Sequence, residues 1–280
     1  MNRLAAIYSS NLGKKVIAAV TGLILFGFIA GHVAGNLKVF TGSTPEGLPH
    51  IDEYAHFLRE VGVPLVPKNM VIWSARMVLL ASVILHITVV IQLAMLSAEA
   101  RPIGYVKTKR RMASPAALYM MFSGGLIAFF IVFHLLHFTV GVMPLTGEFT
   151  EGEVYRNLST SFSADYWYVS LFYIITMVVI GLHLNHGLWS LFQTLGLDNP
   201  DRNKIIRIGS TVTTVLIIVG FIAIPLAFLT GQMPTVEEAY KKPAASYINH
   251  SSVHLNPPIP QSIDHANADL NPQPITNGQH

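Results

Sequence analysis

Residues Phe172–Leu197 read FYIITMVVIGLHLNHGLWSLFQTLGL. The run contains no Asp, Glu, Lys or Arg, and it is longer than the roughly 20 apolar residues that cross about 30 Å of hydrocarbon. Yet His183 and His186 sit inside it. A lipid-compatible segment that carries ionisable rings calls for a membrane bundle, and for a reason why the rings are there.

The rest of the chain has the same character. Of 280 residues, 51% are hydrophobic and 12% charged, where soluble domains average about 25% charged; the mean hydropathy is +0.48. Apolar runs long enough to span occur at Val16–Phe40, Met70–Leu96, Pro115–Val142, Trp167–Leu195 and Ile205–Leu229. None holds Asp or Glu. Arg76 and Arg207 lie close to span ends, where long cationic side chains reach the interface. The expected fold is an all-α membrane protein of five transmembrane helices within residues 1–230, followed by a polar tail, residues 231–280, rich in Pro, Asn and His. With "NPPIPQ" and "NPQP" in it, that tail is expected to be irregular.

Topology follows from the basic residues. Arg3, Lys14 and Lys15 precede the first span; Arg101, Lys107, Lys109, Arg110 and Arg111 fill the second link; Arg202, Lys204 and Arg207 mark the fourth. These segments are expected to be cytoplasmic. The third link has Glu148, Glu151, Glu153 and Asp165 against Arg156 and suits the opposite side, which puts the N-terminus inside and the C-terminus outside. The first span lacks the short apolar core and small-residue cleavage pattern of a signal peptide and is expected to stay in the protein. A net charge of +3 reflects this bias and gives no reason to expect nucleic-acid binding.

There is no cysteine. That excludes a thiolate-held iron–sulfur cluster in this chain, a haem attached through C-x-x-C-H, a cysteine nucleophile and a disulfide. Phosphate-loop, H-E-x-x-H and G-x-S-x-G motifs are absent as well.

Histidine remains. Of twelve, six fall inside spans: His32 in the first, His86 in the second, His134 and His137 in the third, His183 and His186 in the fourth. A lone intramembrane histidine is commonly hydrogen-bonding glue between helices, so the set has to be judged by depth. At about 1.5 Å of rise per residue, His32 lies roughly 24 Å and His134 roughly 28 Å above their cytoplasmic starts, near the outer face. Spans two and four descend, which puts His86 roughly 22 Å and His183 roughly 24 Å below their outer starts. The four helices thus offer two layers of paired histidines, as two stacked haems with bis-histidine iron require. A zinc site would need its ligands at one point, and histidine proton relays usually include buried carboxylates, which the spans lack.

Eleven residues below His32 and His134 lie Thr21–Gly22 and Ser123–Gly125, small enough to leave room for the edge of an inner macrocycle. Arg76 falls at the outer layer, where its guanidinium would suit a haem propionate or serve as a topological anchor.

These residues resemble the membrane-anchor cytochrome b subunit of succinate dehydrogenase and fumarate reductase, of the single-chain, five-helix, two-haem kind. The resemblance runs from about Ser9 to Thr230. It is strongest in SSNLGKKVIAAVTGLILFGFIAGHVAGNL and in FYIITMVVIGLHLNHGLWSLFQTLGL, and weaker at ASVILHITVV and FFIVFHLLHFT. It implies axial ligands at His32 and His134 for an outer haem b and at His86 and His183 for an inner haem b. It also implies electron relay between an iron–sulfur subunit and a membrane quinone, menaquinone or ubiquinone, in a bacterial cell (inner) membrane. On this resemblance FAD and iron–sulfur clusters belong to a flavoprotein subunit and an iron–sulfur subunit docked on the cytoplasmic face. Dicarboxylate chemistry is then theirs, the direction of turnover is open, and the whole complex is a candidate homo-oligomer surrounded by lipid.

Some relatives of that kind carry a carboxylate two positions before the span-four ligand, where this chain has Gly181. A carboxylate-based proton path is therefore not expected. Ser190 and His186 are further candidates for an inner propionate. Glu53, His56 and Glu60, in IDEYAHFLRE, are candidates for a quinone site, with a solvated helix face as the plainer account. Rival classes are another b-haem quinone-linked anchor and a histidine-based transporter; no internal repeat of the inverted-transporter kind stands out.

Overall fold

The computed structural model describes residues 8, 10–99, 115–142, 149–197, 199–200 and 203–241. The expected tail beyond Lys241, with its histidines, lies outside the described residues. So do Arg3, Arg101, Lys107, Lys109, Arg110, Arg111, Glu148 and Arg202, on which much of the charge asymmetry rests.

The helices, in chain order, are α1 (Asn11–Asn36), α2 (His50–Glu60), α3 (Met70–Glu99), α4 (Pro115–Leu135), α5 (Val154–Ser161), α6 (Trp167–Thr194), α7 (Asn203–Leu229) and α8 (Val236–Ala239). Among the described residues there is no β-strand. Five helices, α1, α3, α4, α6 and α7, are long and apolar enough to cross a membrane. Much of their apolar surface faces outward: Leu23 on α1, Ile84 on α3, Phe129 on α4, Leu182 on α6 and Leu216 on α7 are all exposed. Apolar faces on every span exceed what water tolerates on a monomer, and hydrocarbon is the solvent that suits them. This is the architecture of a multi-pass membrane protein.

Capping chemistry moves the ends. Span one was expected from Val16, yet α1 starts at Asn11, because the Ser10 side chain accepts the Gly13 N–H at 2.9 Å and satisfies one orphan donor of the first turn. At the far end α1 tightens into a 3₁₀ turn over Leu37–Thr41. α4 instead widens into a π turn, Leu136–Val140, closed by Gly141 at φ 72° with its N–H on the Leu136 carbonyl. Wide turns of this type are rare and recur at functional sites.

The spans do not pack evenly. In the most apolar stretch of α1, α3 and α4 only 11% of residues are buried, against 28% in α6 and 39% in α7. The close helix pairs are α1 with α3, α6 with α7 and α4 with α6, and α1 also touches α6 and α7. Span five, which has no histidine, is therefore the most enclosed of the spans. Glycine makes that enclosure close: a Cβ on Gly181 would lie 2.9 Å from Ile218 Cγ1, and one on Gly220 would lie 2.8 Å from Val33 Cγ2. Gly181→Leu is expected to lower the thermal unfolding temperature of the detergent-solubilised chain through overpacking of about 1–3 kcal/mol. An unchanged midpoint would show that the α6–α7 contact is slack.

One end of the bundle is capped by α2, α5 and α8. Asp52 on α2 is fully buried, and it accepts the Tyr155 N–H of α5 at 2.9 Å and the Tyr240 hydroxyl that follows α8. Tyr155 in turn donates to the Pro234 carbonyl at 2.8 Å, and Ser43 donates to the Ala239 carbonyl at 2.6 Å. Residues 231–241 were expected to begin an irregular tail. They are instead seated on the cap, with α8 started by a Thr235–Glu238 capping box.

Candidate functional site

His32 and His134 meet. Their ring centroids are 6.0 Å apart with planes 83° to one another, although α1 and α4 are not a closely packed helix pair. Phe28 stacks on His32 at 5.1 Å and Phe130 on His134 at 5.6 Å; Phe221 from α7 and Phe138 from the π turn approach the same pair. The His134 Nδ1 atom is buried with no hydrogen-bond partner. Burying a polar atom without a partner costs about 1–3 kcal/mol, and the orphan Nδ1 sets His134 apart from a histidine that serves as hydrogen-bonding glue between helices.

The second pair is built differently. His86 on α3 reaches across to α1, where its Nδ1 lies 3.1 Å from the Ala18 carbonyl and 3.1 Å from the Thr21 hydroxyl oxygen. A carbonyl only accepts, so Nδ1 carries the proton and the neutral ring keeps its lone pair on Nε2. His183 on α6 reaches α4 in the same way, with Nδ1 3.1 Å from the Ser123 hydroxyl. The small residues were expected to clear space for a macrocycle edge. In the structure a Cβ on Gly22 would stand 3.3 Å from His86 Cε1, and one on Gly124 would stand 3.5 Å from His183 Cε1. A Cβ at Gly22 would press on the His86 ring, whereas one at Gly124 would rest in ordinary contact with the His183 ring.

The leftover histidines have other partners. His137 is buried, its Nδ1 2.9 Å from the Tyr173 hydroxyl and its Nε2 3.2 Å from the Ser161 hydroxyl. His186 meets Trp189 edge-on at 6.0 Å, and the Arg207 guanidinium covers the same indole at 4.1 Å. Ser190 lies on α6 below them, and its carbonyl accepts the Thr194 hydroxyl at 2.9 Å. Arg76 is exposed, its guanidinium 4.9 Å over the Trp73 ring.

On α2 the three candidates are exposed. Glu53 holds His50 at 2.9 Å, Glu60 pairs with Lys68 at 3.0 Å, and His56 faces Gly152 across the cap. The Lys68 contact holds the Glu60 carboxyl below its usual range. The neighbour that sequence reading passed over is Asp52. Nothing local marks it, because both hydrogen-bond partners come from distant parts of the chain.

Two imidazoles trans to one metal, with metal–nitrogen bonds of about 2 Å, have ring centroids about 6 Å apart. The spacing of His32 and His134 suits that, and so does the Nε2 lone pair forced on His86. Among the described residues no three His, Asp or Glu side chains converge. His32 and His134 meet as a pair, an arrangement that suits a metal bringing further nitrogens of its own. No protein-family model matches the chain, and comparison with curated proteins and with solved structures finds no match.

Proposed function

We propose that this chain is the di-haem cytochrome b anchor of a succinate:quinone oxidoreductase, relaying electrons between an iron–sulfur subunit and membrane quinone. The observation that carries the reading is the meeting of His32 and His134 from two helices that otherwise stand apart, with His86 held against α1 and His183 held against α4, each about 16 Å along the helix from the meeting pair. His32 and His134 would hold one haem iron, and His86 and His183 the other. Once bound, the haems supply reversible one-electron transfer.

The chain's own residues do the rest. The phenylalanines around His32 and His134 exclude water and leave an apolar surround, which sets a potential through low dielectric. At the other level, donation by the His86 and His183 Nδ1–H groups orients the rings and makes them stronger donors to a ferric ion. His137, with both nitrogens engaged, takes no part in ligation. In this reading the cytoplasmic face receives the iron–sulfur and flavoprotein subunits, the membrane is a bacterial inner membrane, and electrons run in either direction. Resemblance in the first and fourth spans supports the assignment to this class of complex.

A reduced-minus-oxidised absorption spectrum of the purified chain, with haem and protein both quantified, tests it. Two b-type haems per chain are expected. A colourless, folded chain would overturn the reading and leave a histidine-containing transporter or a structural anchor.

A further inference from the structure

The haem ligands of the proposed inner pair are held by an arrangement that occurs twice. On α1, Thr21–Gly22 lies eleven and ten residues before His32; on α4, Ser123–Gly124 lies eleven and ten residues before His134. Eleven residues are close to three turns, so hydroxyl, glycine and histidine share one face of each helix, about 16 Å apart. Each hydroxyl is committed to its own backbone. Thr21 Oγ1 donates to the Ile17 carbonyl at 2.7 Å, and Ser123 Oγ donates to the Met120 carbonyl at 3.1 Å. With that proton spent, each oxygen has only lone pairs to offer the imidazole opposite, and each imidazole must donate from Nδ1. Thr21 is buried, and so is Ser123. Water therefore does not compete for either bond.

We infer that Thr21 and Ser123 are positioning residues that fix the tautomers of His86 and His183, with Gly22 admitting the His86 ring. α1 and α4 each then serve both levels, supplying a ligand to one and buttressing the opposite ligand of the other. His134 lacks this support, since its Nδ1 has no partner. The two haems are thereby made unequal by the chain itself. Hydrogen-bond donation from the distal nitrogen gives the imidazole more anionic character and favours ferric iron, so the supported level is held at a lower potential than unsupported rings would give it.

This rests on the di-haem reading, and the test separates the two. Potentiometric titration and low-temperature EPR are run on the full-length purified chain carrying Ser123→Ala, Ser123→Cys or Thr21→Val, with Ser123→Thr and Thr21→Ser as conservative controls. Ser123→Ala removes the hydroxyl partner of His183 Nδ1. It is expected to raise the midpoint of one haem by a roughly tenfold change in ferric-to-ferrous ratio, about 59 mV for one electron, and to alter that haem's ferric EPR signal. Ser123→Cys keeps the volume but offers only a weak acceptor, so it gives the same direction even where alanine packs badly. Thr21→Val shifts the same haem upward by less, because the Ala18 carbonyl still accepts from His86. The conservative variants restore the wild-type midpoint. Two haems at unchanged potentials in the alanine, cysteine and valine variants would overturn the inference while leaving the di-haem reading intact. So would shifts of different haems by the Thr21 and Ser123 variants. A wild-type chain without haem would overturn both.

Discussion

Replacing His134 by alanine is expected to reduce the purified chain from two haems to one, while His137→Gln retains both. The two residues are one turn apart, and depth alone cannot choose between them, since a turn moves a side chain only about 5 Å. Hydrogen bonding can. His137 is held at both ring nitrogens, by Tyr173 and Ser161, and freeing Nε2 to meet a metal would break its bond to the buried Ser161 hydroxyl. His134 has the opposite condition: its Nδ1 is buried and unpartnered, and its ring already faces His32. On the proposed di-haem reading, losing His134 removes a ligand that no other described side chain beside His32 replaces, so the expected effect is loss of one cofactor rather than a change in affinity. His183→Ala is expected to lose the other haem, with His186→Gln keeping it. Pyridine haemochrome quantification against amino-acid analysis reads all four variants. Retention of two haems in His134→Ala with loss in His137→Gln would transfer the ligand to the π turn and undo the pairing.

The membrane architecture was legible because hydrocarbon imposes a length and a composition on any segment that crosses it. All five spans stand within a few residues of the apolar runs, and the misjudged start of α1 came from Ser10, whose cap a hydropathy profile does not register. Depth arithmetic brought His32 and His134 to one level because helical rise is nearly constant, and their rings meet. What small residues do at a given depth was less legible. Thr21–Gly22 and Ser123–Gly125 were read as clearance for a macrocycle edge, since sequence spacing gives a height on a helix but not which neighbour stands beside it; here a histidine from the adjacent helix stands beside Thr21–Gly22 and Ser123–Gly124, while a Cβ on Gly125 would meet nothing within 4 Å. The cap was not legible at all. Asp52 draws its partners from Tyr155, 103 residues away, and Tyr240, 188 residues away, and no local pattern encodes contacts of that span. The same non-locality hid the ordered start of the C-terminal segment, whose polar composition describes an isolated chain rather than one with a buried carboxylate to bind.

Asp52→Ala is expected to release that cap, and Asp52→Asn to remove its dependence on pH. Alanine takes the acceptor from the buried Tyr155 amide, at about 1–3 kcal/mol, and also from the half-buried Tyr240 hydroxyl and the Val154 amide. The segment after Pro234 should then become accessible to limited proteolysis while the haem count stays at two, because none of these residues touches a histidine pair. The pH response follows from the carboxyl itself. Burial raises it above its usual 3.8, and although hydrogen bonds from Tyr240 and from the Tyr155 and Val154 amides pull it back, the nearby Glu153 charge adds to the rise. Burial likewise pushes the Tyr155 hydroxyl up to about 12, and burial with the Asp52 contact pushes Tyr240 up further, so both phenols remain donors. An acid whose pKa is higher folded than unfolded binds its proton more tightly in the fold. Stability of the cap is therefore greatest below pH 3.8, falls as pH rises through the window up to the folded value, and is level above it. Hydrogen exchange of the amides from Thr235 to Tyr240, corrected for the intrinsic rate and followed across that window in a Glu238→Gln background so that the capping-box carboxylate does not titrate with it, should show protection declining with pH when Asp52 is present and staying flat in Asp52→Asn. Protection that rises with pH when Asp52 is present would mean that the ionised carboxylate is the favoured form and that its hydrogen bonds outweigh its burial.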